Sequence, residues 1–361
     1  MKIKISAILI LALTGVICAA KPRLIQTEKS EIRAGVKYRK MMKHFFFNQS
    51  EMTYNYLLDP ANKMVKQKWG DYELGLRHGR ILNGSWCMWN FFSCVMPDKS
   101  ALTNQVPAER VALMSTAEGV HAEIVWPELT LKMIQLNNAR EWIFMEVTVK
   151  ETPSYLRLRS WPGGAKWKPA DGGVRRLKTL SMDEAIPVTR MKFRESSGGL
   201  ALYNRNYSEN NGNFLLFEPE KYIQTYASSS NVVMLDFVPK PGEKVFHFAL
   251  GYFLNEDPQD ACGRFLKERM PNIAALLKQV KWKSDADFSD FHRHTAVIEN
   301  LLNNAVLSAE EKNTFQTELD RCRSRFNTAE KNQDIPAAYH EIEIAEQLRS
   351  KVGMAALKSL Q

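Results

Sequence analysis

The sequence predicts a mainly β protein, a large antiparallel β-sandwich followed by a helical C-terminal region. Three observations predict it. From about Tyr72 to Leu254 apolar and polar residues alternate with a period of two, as they do in strands with one buried face. No helical stretch long enough for a parallel crossover separates those strands. After Asn255 the period becomes helical, and Ser308 to Glu311 carries the pattern of a capping box.

The first twenty residues read as a secretory signal peptide. Lys2 and Lys4 precede a 13-residue apolar run from Ile5 to Ile17, and the small residues Ala19 and Ala20 follow. A membrane-spanning helix needs about 20 apolar residues, so the pattern predicts export and a mature chain beginning at Lys21. Cys18 offers two alternatives, lipidation or retention of the segment as an anchor, although the bulky Ile17 before it disfavours the first. Membrane contact is expected only in those two cases. Asn48, Asn83 and Asn206 head Asn-X-Ser triplets, which matter only in a glycosylating host.

Residues 21–255 are expected to form the sandwich domain. Its first fifty residues read as a helix followed by an edge strand, with a basic stretch at 37–43, an apolar one at 45–47 and a turn at 69–71. The strands expected next are 120–126, 129–136, 142–149, 155–161, 214–217, 232–238 and 245–254. Each is rich in β-branched and aromatic residues and bounded by Gly, Pro, Asn or Asp. Residues 256–361 form the helical region. Asp257 and Pro258 suit an N-cap and first turn, and Pro271 is expected to end or kink that helix. Phe291, Thr295, Ile298, Leu302 and Ala305 mark a second helix, and Phe315, Leu319, Cys322 and Phe326 a third. Tyr339, Ile342, Ala345 and Leu348 mark a fourth, beginning near Pro336.

Composition narrows the function classes. Apolar content of 45% and charged content of 25% are those of a folded globular protein. The formal charge is +9, or +7 once Lys2 and Lys4 leave with the signal segment. A basic surplus in an exported protein favours acidic glycans or anionic surfaces over nucleic acid. Cys87, Cys94, Cys262 and Cys322 remain after cleavage. They allow two disulfides in three connectivities, or simply buried thiols. The chain has no P-loop, no GxGxxG, no GxSxG and no HExxH, and no cofactor is expected.

The strongest candidate surface is Tyr155 to Trp161. On a strand, Leu156 and Leu158 face one side, and Tyr155, Arg157, Arg159 and Trp161 the other. Guanidinium forks pair carboxylates or sulfates, and rings stack on sugars; Trp167 in the following Gly-rich loop is within sequence reach of the same face. His78 and Arg80 form a second candidate set beside Gly75 and Gly79. Trp86 and Trp89 suit a core segment better than a sugar platform. Glu146 interrupts the Trp142, Phe144 row, where a carboxylate would have a raised pKa and serve as acid or base. His121, Glu123 and Glu218 are further titratable candidates, with no pair assignable. Asp285, Asp287, Asp290, His292 and His294 lack the spacing of a metal site, and Asp287 suits an N-cap instead.

The layout is similar to sandwich domains that handle carbohydrate in secreted proteins. The reading it supports is an exported accessory protein that binds glycan, with an acidic polysaccharide as the expected class, through the Trp/Arg strand face. Two alternatives stand beside it. One is a secreted lyase, hydrolase or epimerase on the same sandwich. The other is an envelope assembly protein whose helices hold a protein partner.

Overall fold

Every strand pairing among the described residues is antiparallel. The structure is a computed structural model and describes residues 23–47, 50–61, 65, 73–78, 84–86, 90–115, 118–162, 174–204, 212–252, 258–282 and 288–359. The expected signal segment with Cys18, the Asn-X-Ser asparagines, Cys87, Trp89, Asp257, Asp285, Asp287 and the 69–71 turn lie outside these residues, as do two site candidates, Arg80 and Trp167.

The chain opens with β1 (Arg23–Arg33), β2 (Val36–Phe47), β3 (Ser50–Leu58) and β4 (Glu73–His78), then β5 (Gly84–Trp86) and β6 (Phe92–Val95). A short helix α1 (Leu102–Gln105) leads to β7 (Arg110–Ser115), β8 (Gly119–Trp126), β9 (Leu129–Leu136), β10 (Trp142–Val149) and β11 (Tyr155–Pro162). Next come β12 (Arg175–Lys178), β13 (Asp183–Ala185), β14 (Met191–Phe193), β15 (Gly199–Asn204) and β16 (Asn213–Phe217). The strands end with β17 (Tyr222–Ser229), β18 (Val233–Pro239) and β19 (Val245–Tyr252). They form a four-stranded sheet in order β1-β2-β3-β4 and a nine-stranded sheet in order β13-β12-β15-β16-β19-β10-β9-β8-β7. The third sheet runs β14-β17-β18-β11-β5, with β6 also on β11.

Alternation places one side of the central strands in a shared core. Ile143, Met145 and Val147 of β10 and Phe246, Phe248 and Leu250 of β19 meet Leu156 and Leu158 of β11 and Val233, Leu235 and Phe237 of β18. Met52, Tyr54, Leu74 and Leu76 of the four-stranded sheet join the same cluster. Trp86 is wholly buried there, as expected of a core segment.

The opposite face of the nine-stranded sheet is covered by the helical region. Its elements are α2 (Pro258–Arg264), a π-helical turn (Phe265–Arg269), α3 (Met270–Gln279), α4 (Ser289–Asn304), α5 (Ala309–Lys331) and α6 (Ile335–Lys358). Trp142, Phe144, Phe214 and Ala249 pack against Phe265, Leu266 and Ile273. The Phe214 and Phe265 rings stack with centroids 4.0 Å apart. The α4–α6 helices form their own apolar seam around Phe291, Cys322, Phe326 and Tyr339, reaching the sheet at Met114.

Two expectations need correction. Residues 23–58 are three strands rather than a helix and an edge strand. β1 and β2 turn through Ala34 and Gly35, both at positive φ (48° and 79°), the conformation of a two-residue hairpin loop. Pro271 does not end its helix. Helical structure runs unbroken from Pro258 to Gln279, and the proline falls directly after the π-helical turn Phe265–Arg269, the kind of local irregularity at which a helix bends. The capping box forms as expected, with Glu311 N donating to Ser308 Oγ at 3.2 Å and Ser308 N to Glu311 Oε2 at 3.0 Å. The last helix is capped by Asp334, which accepts from Ala337 N at 3.2 Å. Phe288 holds the N-cap position of α4 without a side-chain bond. Cys94 and Cys322 are buried thiols, pushed up to about 12 by burial.

Candidate functional site

On the six-stranded sheet, inward Leu156, Leu158, Leu235 and Phe237 leave the alternate residues of β11 and β18 facing outward. Strand register aligns Lys192, Tyr226, Asp236, Arg157 and Ser93 as one row across five strands. At its centre Arg157 Nε and Nη2 donate to the two Asp236 oxygens at 2.6 and 2.8 Å. Arg190 Nη2 lies 3.0 Å from Asp236 Oδ2. Its guanidinium carbon stands 3.7 Å from the Tyr226 ring centroid, and that of Arg157 stands 5.0 Å from the Tyr155 ring. Both are cation–π arrangements. Burial opposes the Arg157 charge, but the Asp236 bonds outweigh it and raise its pKa.

The row keeps donor capacity in hand. Arg157 Nη1 has no partner among the described residues, Arg190 remains 46% exposed, and Lys192 is exposed and in no ion pair there. Two guanidiniums share the Asp236 carboxylate and Lys192 stands one strand further along the row, so the row holds three cations and one carboxylate. Trp161 extends the strip at half-burial, with Nε1 donating to Asn231 O at 2.6 Å. This arrangement can hold a carboxylate or sulfate on guanidinium donors while a sugar ring lies on tyrosine.

Not every candidate reaches that surface. Arg159 is 6% exposed and donates to Asn90 O at 2.7 Å and Ser93 Oγ at 2.8 Å. It fastens β11 to the segment before β6 and belongs to the fold rather than to the exposed strip. His78 is wholly buried at the end of β4. Its Nε2 donates to Glu141 O at 2.9 Å, so Nδ1 is the acceptor, and the Ser50 hydroxyl donates to it at 2.6 Å. Gln135 Nε2 donates to the Ser50 oxygen at 3.1 Å. Desolvation lowers the His78 pKa to about 4. The pair has the hydrogen-bond pattern of an activated serine, but burial of both residues makes it a clasp between β3–β4 and the β9–β10 turn. Of the residues the sequence singled out, Arg157, Tyr155 and Trp161 lie on the outer face of the six-stranded sheet. Sequence reasoning missed Lys192 and Tyr226, on strands whose neighbours alternation cannot specify, and Arg190, in the segment just before β14.

A second charged row crosses the nine-stranded sheet. Asp334 and Glu123 both accept from Arg110 at 2.8 Å. Lys132 Nζ lies 3.2 Å from Glu146 Oε1, and His247 bridges Glu146 Oε2 (3.2 Å) and Glu218 Oε2 (3.0 Å). Trp282 stacks on the imidazole at 5.2 Å. Burial works against the His247 charge, but the two carboxylates raise its pKa to about 9. Glu146, expected to be raised, is instead lowered. Burial does push it up, but bonds from His247 and the charge of Lys132 dominate. Glu146 and Glu218 therefore meet through a cationic histidine, as a closed ion network rather than an acid–base pair. His121, on the same face, is buried and its pKa is lowered to about 4 by desolvation.

A groove of about 490 Å³ lies elsewhere, between the β12–β13 hairpin and α2, lined by Lys178, Met182, Asp183, Asp260, Arg264 and Lys267. The row on the six-stranded sheet is an open face, suited to a polymer lying across it.

No known protein family matches the chain, and no curated protein matches it. Among solved structures, YidC from Thermotoga maritima aligns at 10% sequence identity with a TM-score of 0.25, covering 78% of this chain and 65% of that one. The chain thus spans less than two thirds of that structure's length, and a likeness of this degree carries no argument.

Proposed function

We propose that this is an exported accessory protein that binds an acidic polysaccharide on the outer face of its six-stranded sheet. One observation carries the reading. Arg157 and Arg190 keep unused donors beside the half-buried rings of Tyr155 and Tyr226, on a single carboxylate that already serves both guanidiniums, and the exposed Lys192 stands beyond Tyr226 in the same row. Uronate or sulfate groups would take the free N–H donors, and the ring faces of Tyr155, Tyr226 and Trp161 would meet the sugar. Export is supported by the basic, apolar and small-residue order of residues 1–20.

Charge-assisted hydrogen bonds contribute about 1.5–3 kcal/mol each, so losing two should weaken binding at least about tenfold. Calorimetric titration with polygalacturonate and with a neutral glucan tests this. The expected result is binding of the first alone, weakened at least about tenfold in Arg190→Ala/Lys192→Ala and progressively by salt. Equal affinity in parent and variant refutes the reading.

A second reading, assembly through the helices, is favoured by the exposed Met354 and Leu357 (58% and 66%) near the end of α6. It expects a self-associated or partner-bound state that Met354→Ser/Leu357→Ser disrupts in light scattering.

A further inference from the structure

The β1–β2 ribbon is the most basic segment of the described chain and the least covered by it. Residues 23–47 hold seven lysines and arginines against two glutamates, a net +5 out of +9 for the whole sequence. β1 pairs only with β2 and forms the sheet edge, and residues 25–30 are exposed on both faces of the strand. The last β2–β3 pair is Arg39 with Leu58, so the ribbon's end from Ile32 to Tyr38 overhangs its own sheet. The base is fixed to the body. Met41 and Phe45 are buried, and burial lowers the Lys43 pKa, with Glu343 of α6 acting against it.

The overhanging tip is not simply polar. Ile32 is 74% exposed and Val36 40% exposed, and Ile25 along the edge is 38% exposed. Register puts Ile32 opposite Lys37 on one face of the ribbon and Ile25 and Val36 on the other. Lys29 and Lys40 stand directly opposite each other, a like-charge pairing that weakens a sheet on its own. Lys40 lies 4.0 Å from Glu73, whereas Lys29 and Lys37 are in no ion pair among the described residues. Between the two aliphatic residues the Ala34–Gly35 turn is small, and a Cβ built on Gly35 meets nothing within 4 Å.

We propose that this tip docks on an anionic lipid surface. Because Ile32 and Val36 lie on opposite faces, only an end-on approach buries both, and that approach brings Lys37 and then Lys29 to headgroup level. Aliphatic side chains beside cations match the boundary between acyl chains and anionic headgroups. An acidic glycan would match the cations but would leave Ile32 and Val36 in water, which is why the lipid surface fits better. The inference is independent of the polysaccharide face, which lies on another sheet.

The test is co-sedimentation of the whole protein with vesicles of phosphatidylcholine alone and of phosphatidylcholine with phosphatidylglycerol, beside a heparin column. Binding to the anionic vesicles alone is expected, screened by salt. Ile32→Ser/Val36→Ser should weaken it about tenfold, as should Lys29→Gln/Lys37→Gln, with circular dichroism unchanged because all four residues lie outside the core. Failure to bind anionic vesicles overturns the proposal. So does binding indifferent to the Ile32 and Val36 changes, and so does heparin retention without vesicle binding, which would assign the ribbon to polyanions. Loss of polygalacturonate binding in the Arg190 and Lys192 variant, with vesicle binding intact, keeps the two surfaces distinct.

Discussion

The outer faces of the two large sheets carry similar charged residues and put them to opposite uses. On the nine-stranded sheet the row from Arg110 through Lys132 and Glu146 to His247 is closed, each charge matched by a neighbour and the apolar remainder roofed by α2 and α3. On the six-stranded sheet two arginines share Asp236, and Lys192 stands in no ion pair among the described residues. Charge on a strand face is therefore a weak sign of binding. Donor capacity left over after internal pairing is the stronger one, because exposed ion pairs contribute little to stability and unused donors have little structural purpose.

The comparison breaks most visibly if the roofed face is unroofed. Trp142 packs beside the stacked Phe214–Phe265 pair, its ring centroid 6.2 and 5.5 Å from theirs, and a Cβ on Gly251 would meet its ring at 2.6 Å. Trp142→Ala should cost about 3–5 kcal/mol in urea denaturation, and Gly251→Val should also be strongly destabilising. A loss under 1 kcal/mol for Trp142→Ala would mean that the helices rest on the sheet without depending on it.

Acid and base should separate the histidines. His78 and His121 have folded pKa values near 4, below the ordinary 6.5. The unfolded chain then binds the extra protons, and stability is lost as pH falls from about 6.5 to about 4. His247 is raised to about 9. Its contribution is full below about 6.5 and disappears as pH rises through 9. Each shift corresponds to about 3 kcal/mol, so stability should peak near pH 6.5. His247→Gln should flatten the alkaline limb while leaving the acid limb, as read by urea midpoints across pH. A smaller effect, about 1 kcal/mol, is expected for Ser308→Ala at the α5 capping box.

How much of this was legible in the sequence follows from burial. Strands 120–161 and 232–252 could be read because at least one face of each is buried and their residues are mainly β-branched or aromatic. β1 and β2 could not, because β1 is exposed on both faces and its residues carry no hydrophobic period. Pro271 looked like a helix stop because the π turn before it leaves no sequence mark. Within the candidate site, Arg157 and Tyr155 share one strand and were visible together. Asp236, Arg190 and Tyr226 lie 33 to 79 residues away along the chain, and only register unites them. The same limit hid the meeting of Glu146 with Glu218 on His247.

The measurement that bears most directly on the central claim removes two positive charges from each face in turn. Arg190→Ala/Lys192→Ala and Lys132→Ala/Lys221→Ala, where Lys221 Nζ lies 3.0 Å from Glu218 Oε2 in the closed network, lower the net charge equally, and both are titrated with polygalacturonate under conditions where each is folded. Leftover donors on the six-stranded sheet predict at least about a tenfold loss for the first variant and little change for the second. Equal losses in both would show that bulk charge governs the binding and would contradict the account.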